Sequence, residues 1–345
     1  MDPFTGPGAW LALHLTIAVL GTWAARRYAV RRRLIDEPGE RRSHAVATPR
    51  GGGIAVVASL LAALALLAMR YPGQRTLLLA AGGGTLLVAA IGWIDDHRPL
   101  SPWLRLAVHA VAATILAAAV LQSGAGVFLA AAGFAAGLVL VNVWNFMDGI
   151  DGLAASQAAI AALGYALLAH LNGSGGAVVW LAFSLGIACL GFLPFNFPRA
   201  RIFLGDVGSG AIGYGLACVC VLIMAGGADA PGRWPLLLLV LPLSAFLVDA
   251  TLTLGSRMLR GEPWWRAHVQ HAYQRWSRRI GRHPPVTLAY AAWSACGVLA
   301  MLAAWRLDTA FIIVVAVVWC LAGGWIWIAL QDGAQRTSLK EEEQR

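Results

Sequence analysis

The sequence predicts an all-α, polytopic integral membrane protein. Of its 345 residues 59% are hydrophobic and only 12% charged, and the mean hydropathy is +0.68. A soluble domain carries about 25% charged residues, so this chain cannot cover a water-facing surface. A soluble enzyme is excluded on that ground. Lys and Arg (26) outnumber Asp and Glu (17). In a soluble protein that excess would suggest nucleic acid. Here the basic residues sit in short loops between apolar runs, where they set topology, and no nucleic acid is expected as a partner.

Eleven apolar stretches can be marked, with ten as the alternative count. They run near 9–28, 52–70, 77–94, 103–121, 126–143, 154–171, 177–195, 208–226, 235–256, 286–305 and 309–331. Most approach the ~20 residues that a helix needs to cross a bilayer. The first lacks the basic n-region of a cleavable signal, so a retained helix is expected. Turn chemistry separates the runs, as in Tyr71-Pro72-Gly73 and Asn172-Gly173-Ser174-Gly175-Gly176. The expected organisation is one transmembrane catalytic domain over 1–335 and a cytoplasmic tail over 336–345. Cys189, Cys218, Cys220, Cys296 and Cys320 lie in apolar runs without a CxxC pair and read as small buried hydrophobes. His14 and His109 fall mid-span and read as packing residues.

Counting Lys and Arg by loop gives an orientation. One side collects 22, including Arg26, Arg50, Arg98, Arg105, Arg201 and Arg257. The other holds only Arg70, Arg75, Arg233 and Arg306. The richer side is expected in the cytoplasm, with the N-terminus outside and the C-terminus inside.

The acidic residues follow the same asymmetry. Carboxylates at membrane depth are expensive, so function is their default reading. Asp95 and Asp96 end the third span, and adjacent carboxylates at a helix end can bind Mg²⁺ or share proton and charge. From the end of the fifth span onward, Asn142, Asn145, Asp148 and Asp151 recur at three-residue intervals, the two aspartates following the span. Asp206 stands among glycines just before the eighth span, as a helix cap or a cation ligand. Asp249 lies inside the ninth. Converging on one side, these groups suit a divalent cation and a phosphorylated substrate.

Two basic loops complete the pattern. Pro263-Trp264-Trp265-Arg266-Ala267-His268-Val269-Gln270-His271-Ala272-Tyr273-Gln274-Arg275 places two histidines on one face if the segment is helical. Two histidines without a cysteine argue against zinc. Imidazoles, arginines and aromatics suit a diphosphate and a nucleobase, and a basic amphipathic surface helix is the alternative. Ser43-His44 and Thr48-Pro49-Arg50-Gly51-Gly52-Gly53 precede the second span. Glycines there leave backbone N–H groups for an anion, and Arg50 adds charge.

These motifs, in this order over residues ~34 to ~275, resemble the polyprenyl-phosphate N-acetylhexosamine-1-phosphate transferase superfamily. The separated His268 and His271 depart from the contiguous His-His form of the phospho-MurNAc-pentapeptide translocase. They argue against the peptidoglycan reaction. With Pro49-Arg50-Gly51-Gly52-Gly53 they look most like the short O-antigen initiating enzymes. The resemblance implies transfer of an N-acetyl amino sugar 1-phosphate from a UDP-sugar to undecaprenyl phosphate, with release of UMP. It implies Mg²⁺, or Mn²⁺, as cofactor and a bacterial inner membrane as the location, the site facing the cytoplasm. Membrane lipids are expected neighbours, and a homodimer is compatible with it. Asp95, Asp96, Asp148 and Asp151 are then the expected catalytic carboxylates. Asp206, with Asp95, would hold the metal. Arg50, Asn142, Asn145, His268, His271 and Arg275 would bind substrate.

Two rival classes remain. A secondary transporter would need carboxylates near mid-bilayer, for which Asp249 is the candidate. A membrane prenyltransferase would need a DDxxD motif, and Pro99 stands where its last Asp should be.

Overall fold

The structure, a computed structural model, describes residues 6–37, 39, 46–173, 176–226, 236–263, 265–266 and 268–342. Ser43 and His44 lie outside the described residues. The helices are α1 (Pro7–Arg32), α2 (Ile54–Arg70), α3 (Arg75–His97), α4 (Pro102–Gln122), α5 (Val127–Met147), α6 (Leu153–Leu171), α7 (Ala177–Asn196), α8 (Asp206–Gly226), α9 (Leu236–Val240), α10 (Ser244–Leu259), α11 (Ala272–Ile280), α12 (Pro284–Ala304) and α13 (Thr309–Glu342). A short antiparallel pair, β1 (Ile35–Asp36) and β2 (Thr48–Pro49), faces Ile35 to Pro49 and Asp36 to Thr48.

Among the described residues ten segments are long and apolar enough to cross a membrane, which makes this an all-α polytopic membrane protein. The one predicted stretch outside these ten is the second, α2, which at 17 residues is shorter than the other spans. It is about 26 Å long at 1.5 Å per residue, a little under the ~30 Å of a bilayer core.

Burial ranks the helices. The span from Asp206 to Ala225 is 94% buried and forms the centre, whereas the span from Thr309 to Gln331 is 11% buried and lies outside. Lipid tails are as apolar as leucine, so close packing rather than water exclusion holds such helices together. Two glycines bring α2 and α3 onto the start of α8. A Cβ on Gly92 would stand 2.4 Å from the Asp206 carbonyl oxygen, and one on Gly53 2.2 Å from the Cα of Gly208. Any side chain at either position would push the N-terminus of α8 away.

The ninth predicted stretch is broken rather than continuous. Pro242 removes a backbone donor where α9 gives way to α10. The freed groups find partners: Tyr165 donates its hydroxyl to the Leu239 carbonyl, and Ser244 Oγ to the Leu241 carbonyl at 2.7 Å. The indoles of Trp293 and Trp319 both donate to Ser244 Oγ, at 2.9 and 2.8 Å.

The mid-span histidines pack as expected. His14 is buried with Nδ1 2.8 Å from Ser59 Oγ, and His109 is buried in α4. The cysteine expectation needs correction at two positions. Cys189, Cys218 and Cys220 are buried, but Cys296 is exposed and Cys320 half-buried. Both sit on the outer helices α12 and α13, whose apolar faces are not all turned inward.

Candidate active site

The C-terminal ends of α3, α5, α7 and α10 and the N-terminal ends of α4, α6 and α8 meet at one end of the bundle. Here the polar residues of distant segments come together. Arg105, in the first turn of α4, donates Nη1 to Asp95 Oδ2 at 2.7 Å and to Asp206 Oδ2 at 2.9 Å. One guanidinium nitrogen thereby offsets the repulsion between two carboxylates. Asn145 Nδ2 donates to Asp206 Oδ1 at 2.9 Å, and the Leu100 amide to Asp95 Oδ1 at 2.6 Å. The three charged side chains keep 28% (Arg105), 11% (Asp95) and 33% (Asp206) of their surface, so water and a ligand can reach them.

Asp96 faces the other way and is 3% exposed. Its two oxygens accept the backbone N–H groups of Asp206 and Val207, each at 3.1 Å. These are orphan donors at the start of α8, so Asp96 supplies that helix with its cap. Arg50 lies beside it: its guanidinium donates to the Asp96 carbonyl, and Nε is 4.0 Å from Oδ1.

Two of the three glycines before α2, Gly52 and Gly53, are not free to bind an anion through their amides. Gly52 N donates to Phe203 O at 2.9 Å and Gly53 N to Leu204 O at 2.8 Å. The glycines instead let this loop lie flat against the turn that precedes α8.

The four residues at three-residue intervals do not share one helix. α5 ends at Met147, with Asp148 as its C-cap. Asn142 donates to Leu138 O within α5 at 2.7 Å, and Asn145 reaches Asp206. Asp151 turns toward α12. Its carboxylate is 3.3 Å from His283 Nδ1, and its carbonyl accepts from Thr287 Oγ1 at 2.7 Å. Burial, with the charge of Asp96 behind it, pushes the Asp148 carboxyl up to about 7.

The histidine segment has no regular secondary structure at 268–270, and α11 starts only at Ala272 with His271 as N-cap. The two imidazoles still lie together, with centroids 4.9 Å apart. His268 borders a cavity of about 650 Å³, lined also by Pro102, Arg257, Trp265, Arg266 and Gln270. Burial, and then the neighbouring His271 and Arg257, lower its pKa to about 4. His271 is 3% exposed, its ring stacked on Phe146 and Tyr273. Arg275 is half-buried on α11. Gln270 ties the loop down, donating Nε2 to Glu262 Oε2 at 3.0 Å and accepting at its carbonyl from Gln331 Nε2 at 3.0 Å.

Asp95, Asn145 and Asp206 thus form one cluster with Arg105, and Asp96 and Arg50 stand behind it. Asp151, His271 and Asn142 engage other partners. Arg105 was missed by sequence reasoning because it reads as an ordinary positive-inside charge. Its one sequence signal is its place ten residues after Asp95. Asp249, the carboxylate that a transporter would need, accepts hydrogen bonds from Thr253, Ala272, Tyr273 and Tyr290.

Among the described residues no three Asp, Glu, His or Cys side chains converge as a ready metal cage. Two carboxylates are nevertheless what Mg²⁺ commonly takes from protein, with water and substrate phosphate filling its remaining positions. The all-oxygen donor set of Asp95 and Asp206 fits that ion.

Residues 78–224 match the family described as Glycosyl transferase family 4. That segment runs from α3 to α8 and contains the whole Asp95–Arg105–Asn145–Asp206 cluster. The chain is similar to a decaprenyl-phosphate N-acetylglucosaminephosphotransferase of Mycobacterium tuberculosis, 29% identical over 81% of this chain and 78% of the relative. It is similar to a probable undecaprenyl-phosphate N-acetylglucosaminyl 1-phosphate transferase of Bacillus subtilis, 26% identical over 76% of this chain and 75% of the relative. A third relative is an undecaprenyl-phosphate alpha-N-acetylglucosaminyl 1-phosphate transferase of Yersinia pestis, 26% identical over 73% of each chain. The motif order, the family match over residues 78–224 and these relatives all agree with the superfamily that the chain's motifs resemble.

Proposed function

We propose that this protein transfers an N-acetyl amino sugar 1-phosphate from a UDP-sugar to undecaprenyl phosphate, releasing UMP. The reaction takes place at the cytoplasmic face of a bacterial inner membrane and starts O-antigen or another cell-surface polysaccharide. The observation that carries this reading is the bridge from Arg105 to Asp95 and Asp206 at one end of the helix bundle. It offers positive and negative groups side by side to two anionic substrates, one of them a lipid. The relatives, named for polyprenyl-phosphate and N-acetylglucosamine 1-phosphate transfer, support the class of both substrates, and the N-acetylglucosamine donor is the first to test.

An oxygen of the lipid phosphate attacks the sugar-bearing phosphorus of the donor, and the bond to the UMP oxygen breaks. Asp95 and Asp206 would hold Mg²⁺, or Mn²⁺, which when bound lowers the repulsion between the two substrates and draws charge from the attacked phosphorus. Arg105 and Arg50 add fixed positive charge on either side. Asn145 fixes the rotamer of Asp206. A phosphate monoester is largely ionised near pH 7, its second pKa being about 6, so no strong base is required. The Asp148 carboxyl, with its pKa near neutrality, is suited to take the last proton where one remains. His268, Arg257 and Arg266 line a cavity suited to the donor's diphosphate.

The test is release of UMP by purified protein given undecaprenyl phosphate and a panel of UDP-sugars, with and without Mg²⁺. Release that needs both substrates and the metal is expected. Failure with every donor would overturn the reading. For the orientation, single cysteines at Arg33 and Arg279 should resist an impermeant thiol reagent in intact cells and react in inverted membranes. Labelling of both in intact cells would reverse the topology.

A further inference from the structure

Asp249 is a carboxylate inside a membrane-spanning segment, 2% exposed, and the reaction outlined above does not use it. A charge in that position is costly unless it is fully hydrogen-bonded. Asp249 meets that condition. Oδ1 accepts from Ala272 N at 2.8 Å and Thr253 Oγ1 at 3.1 Å. Oδ2 accepts from Tyr290 OH at 2.8 Å and Tyr273 N at 3.2 Å. His271 Nδ1 is 3.6 Å from Oδ1. The first two amides of α11 therefore end on one carboxylate of α10, and this fixes where α11 begins.

The next contact leads to the site. Tyr273, fully buried, donates its hydroxyl to the Phe146 carbonyl at 3.0 Å. That carbonyl belongs to the last turn of α5, where carbonyls lack an intrahelical partner. The hydroxyl fits there because the neighbouring residue is glycine: a Cβ on Gly149 would lie 2.1 Å from it. The His271 ring stacks on Phe146 with centroids 6.2 Å apart. Asp148 sits between Phe146 and Gly149, so both contacts bear on the backbone that carries it.

We propose that Asp249 is a positioning residue for the Asp148 loop, holding the first turn of α11 so that Tyr273 and His271 clamp the backbone from Phe146 to Gly149. The inference rests on the transferase reading only for its kinetic consequence; the clamp itself is independent of the reaction. Its physical content is a relay from α10 through α11 to the end of α5, in which each link is one hydrogen bond or ring contact.

The test uses full-length protein in detergent with Asp249→Asn, Tyr273→Phe and the double substitution. Backbone hydrogen exchange of residues 147–152, without substrate, should be at least several-fold faster in each single variant. Tyr273→Phe loses only the hydroxyl, so it carries the test if Asp249→Asn does not fold. Steady-state kinetics should show kcat reduced about tenfold, since small displacements of a positioned group have effects of this size or more. The KM for the UDP-sugar should stay unchanged, and kcat is taken per folded molecule, because a smaller folded fraction would lower the apparent kcat in the same way. The double variant should be no slower than Asp249→Asn, because both act through one contact. Wild-type exchange in both single variants would overturn the proposal, and so would effects that multiply in the double. Faster exchange in variants of a wild-type protein that transfers no sugar would overturn the transferase reading and leave the clamp standing.

Discussion

The carboxylate of Asp96 accepts the amide hydrogen of Asp206 at 3.1 Å, across 110 residues of sequence. Its neighbour Asp95 shares Arg105 with the Asp206 side chain. Two adjacent aspartates therefore serve one distant aspartate in different ways, the first through its side chain and the second through its backbone.

This division gives the two aspartates distinct phenotypes. Asp96→Ala strips the acceptor from two amides of α8 and should cost about 1–2 kcal/mol of stability, the usual range for losing a helix cap. Asp95→Asn should leave stability nearly unchanged and lower kcat severely with little change in the UDP-sugar KM, the pattern of a group that acts in the transition state. Thermal unfolding in detergent, run beside steady-state kinetics, separates them. Equal losses of Tm would sink the distinction.

Arg105→Ala should lower kcat on the order of 10²-fold, the cost of deleting one fixed donor at a developing charge. Arg105→Lys should recover part of it, because an ammonium can approach two carboxylates but lacks the planar fork. If the alanine variant bound Mg²⁺ more tightly and turned over at the wild-type rate, Arg105 would be only a stand-in for the metal. A Mg²⁺ titration of the rate in each variant decides this.

Asp206→Asn should fold and insert normally, since its backbone amide still meets Asp96, and should lose nearly all transfer because a metal oxygen and a negative charge go together. Near wild-type activity with the same Mg²⁺ dependence would reduce Asp206 to a structural residue.

Gly53→Ala places a methyl against the backbone of Gly208, which has no side chain to move aside. A loss of about 1–3 kcal/mol is expected, as for other overpacked sites. A Tm equal to wild type would show that α2 and α8 can separate without cost.

The histidine loop should respond to acid. The folded pKa of His268 is lowered to about 4 from the ordinary 6.5, mainly by burial. The unfolded chain then binds more protons than the folded one between these values, so stability falls as pH drops from about 6.5 toward 4. His268→Gln should flatten the dependence of Tm on pH across that window. An unchanged slope would place the titration elsewhere.

Much of this was legible in the chain itself. Long apolar runs bounded by Pro-Gly turns set the spans, because backbone polar groups in lipid can only be satisfied within a helix or a closed barrel. The cost of charge at membrane depth singled out Asp95, Asp148 and Asp206 before their neighbours were known. Only tertiary structure decided what each of them touches. Arg105 reads as a topology charge until α3, α4 and α8 pack. Asp96 is indistinguishable from Asp95 until the start of α8 arrives beneath it. Asp249 looked like a transporter's acid and is instead enclosed by α11 and Tyr290. Local periodicity and composition are properties of neighbouring residues, so sequence carries them directly. Pairing between residues 100 apart depends on how closely helices approach, and here glycines at 53 and 92 set that distance.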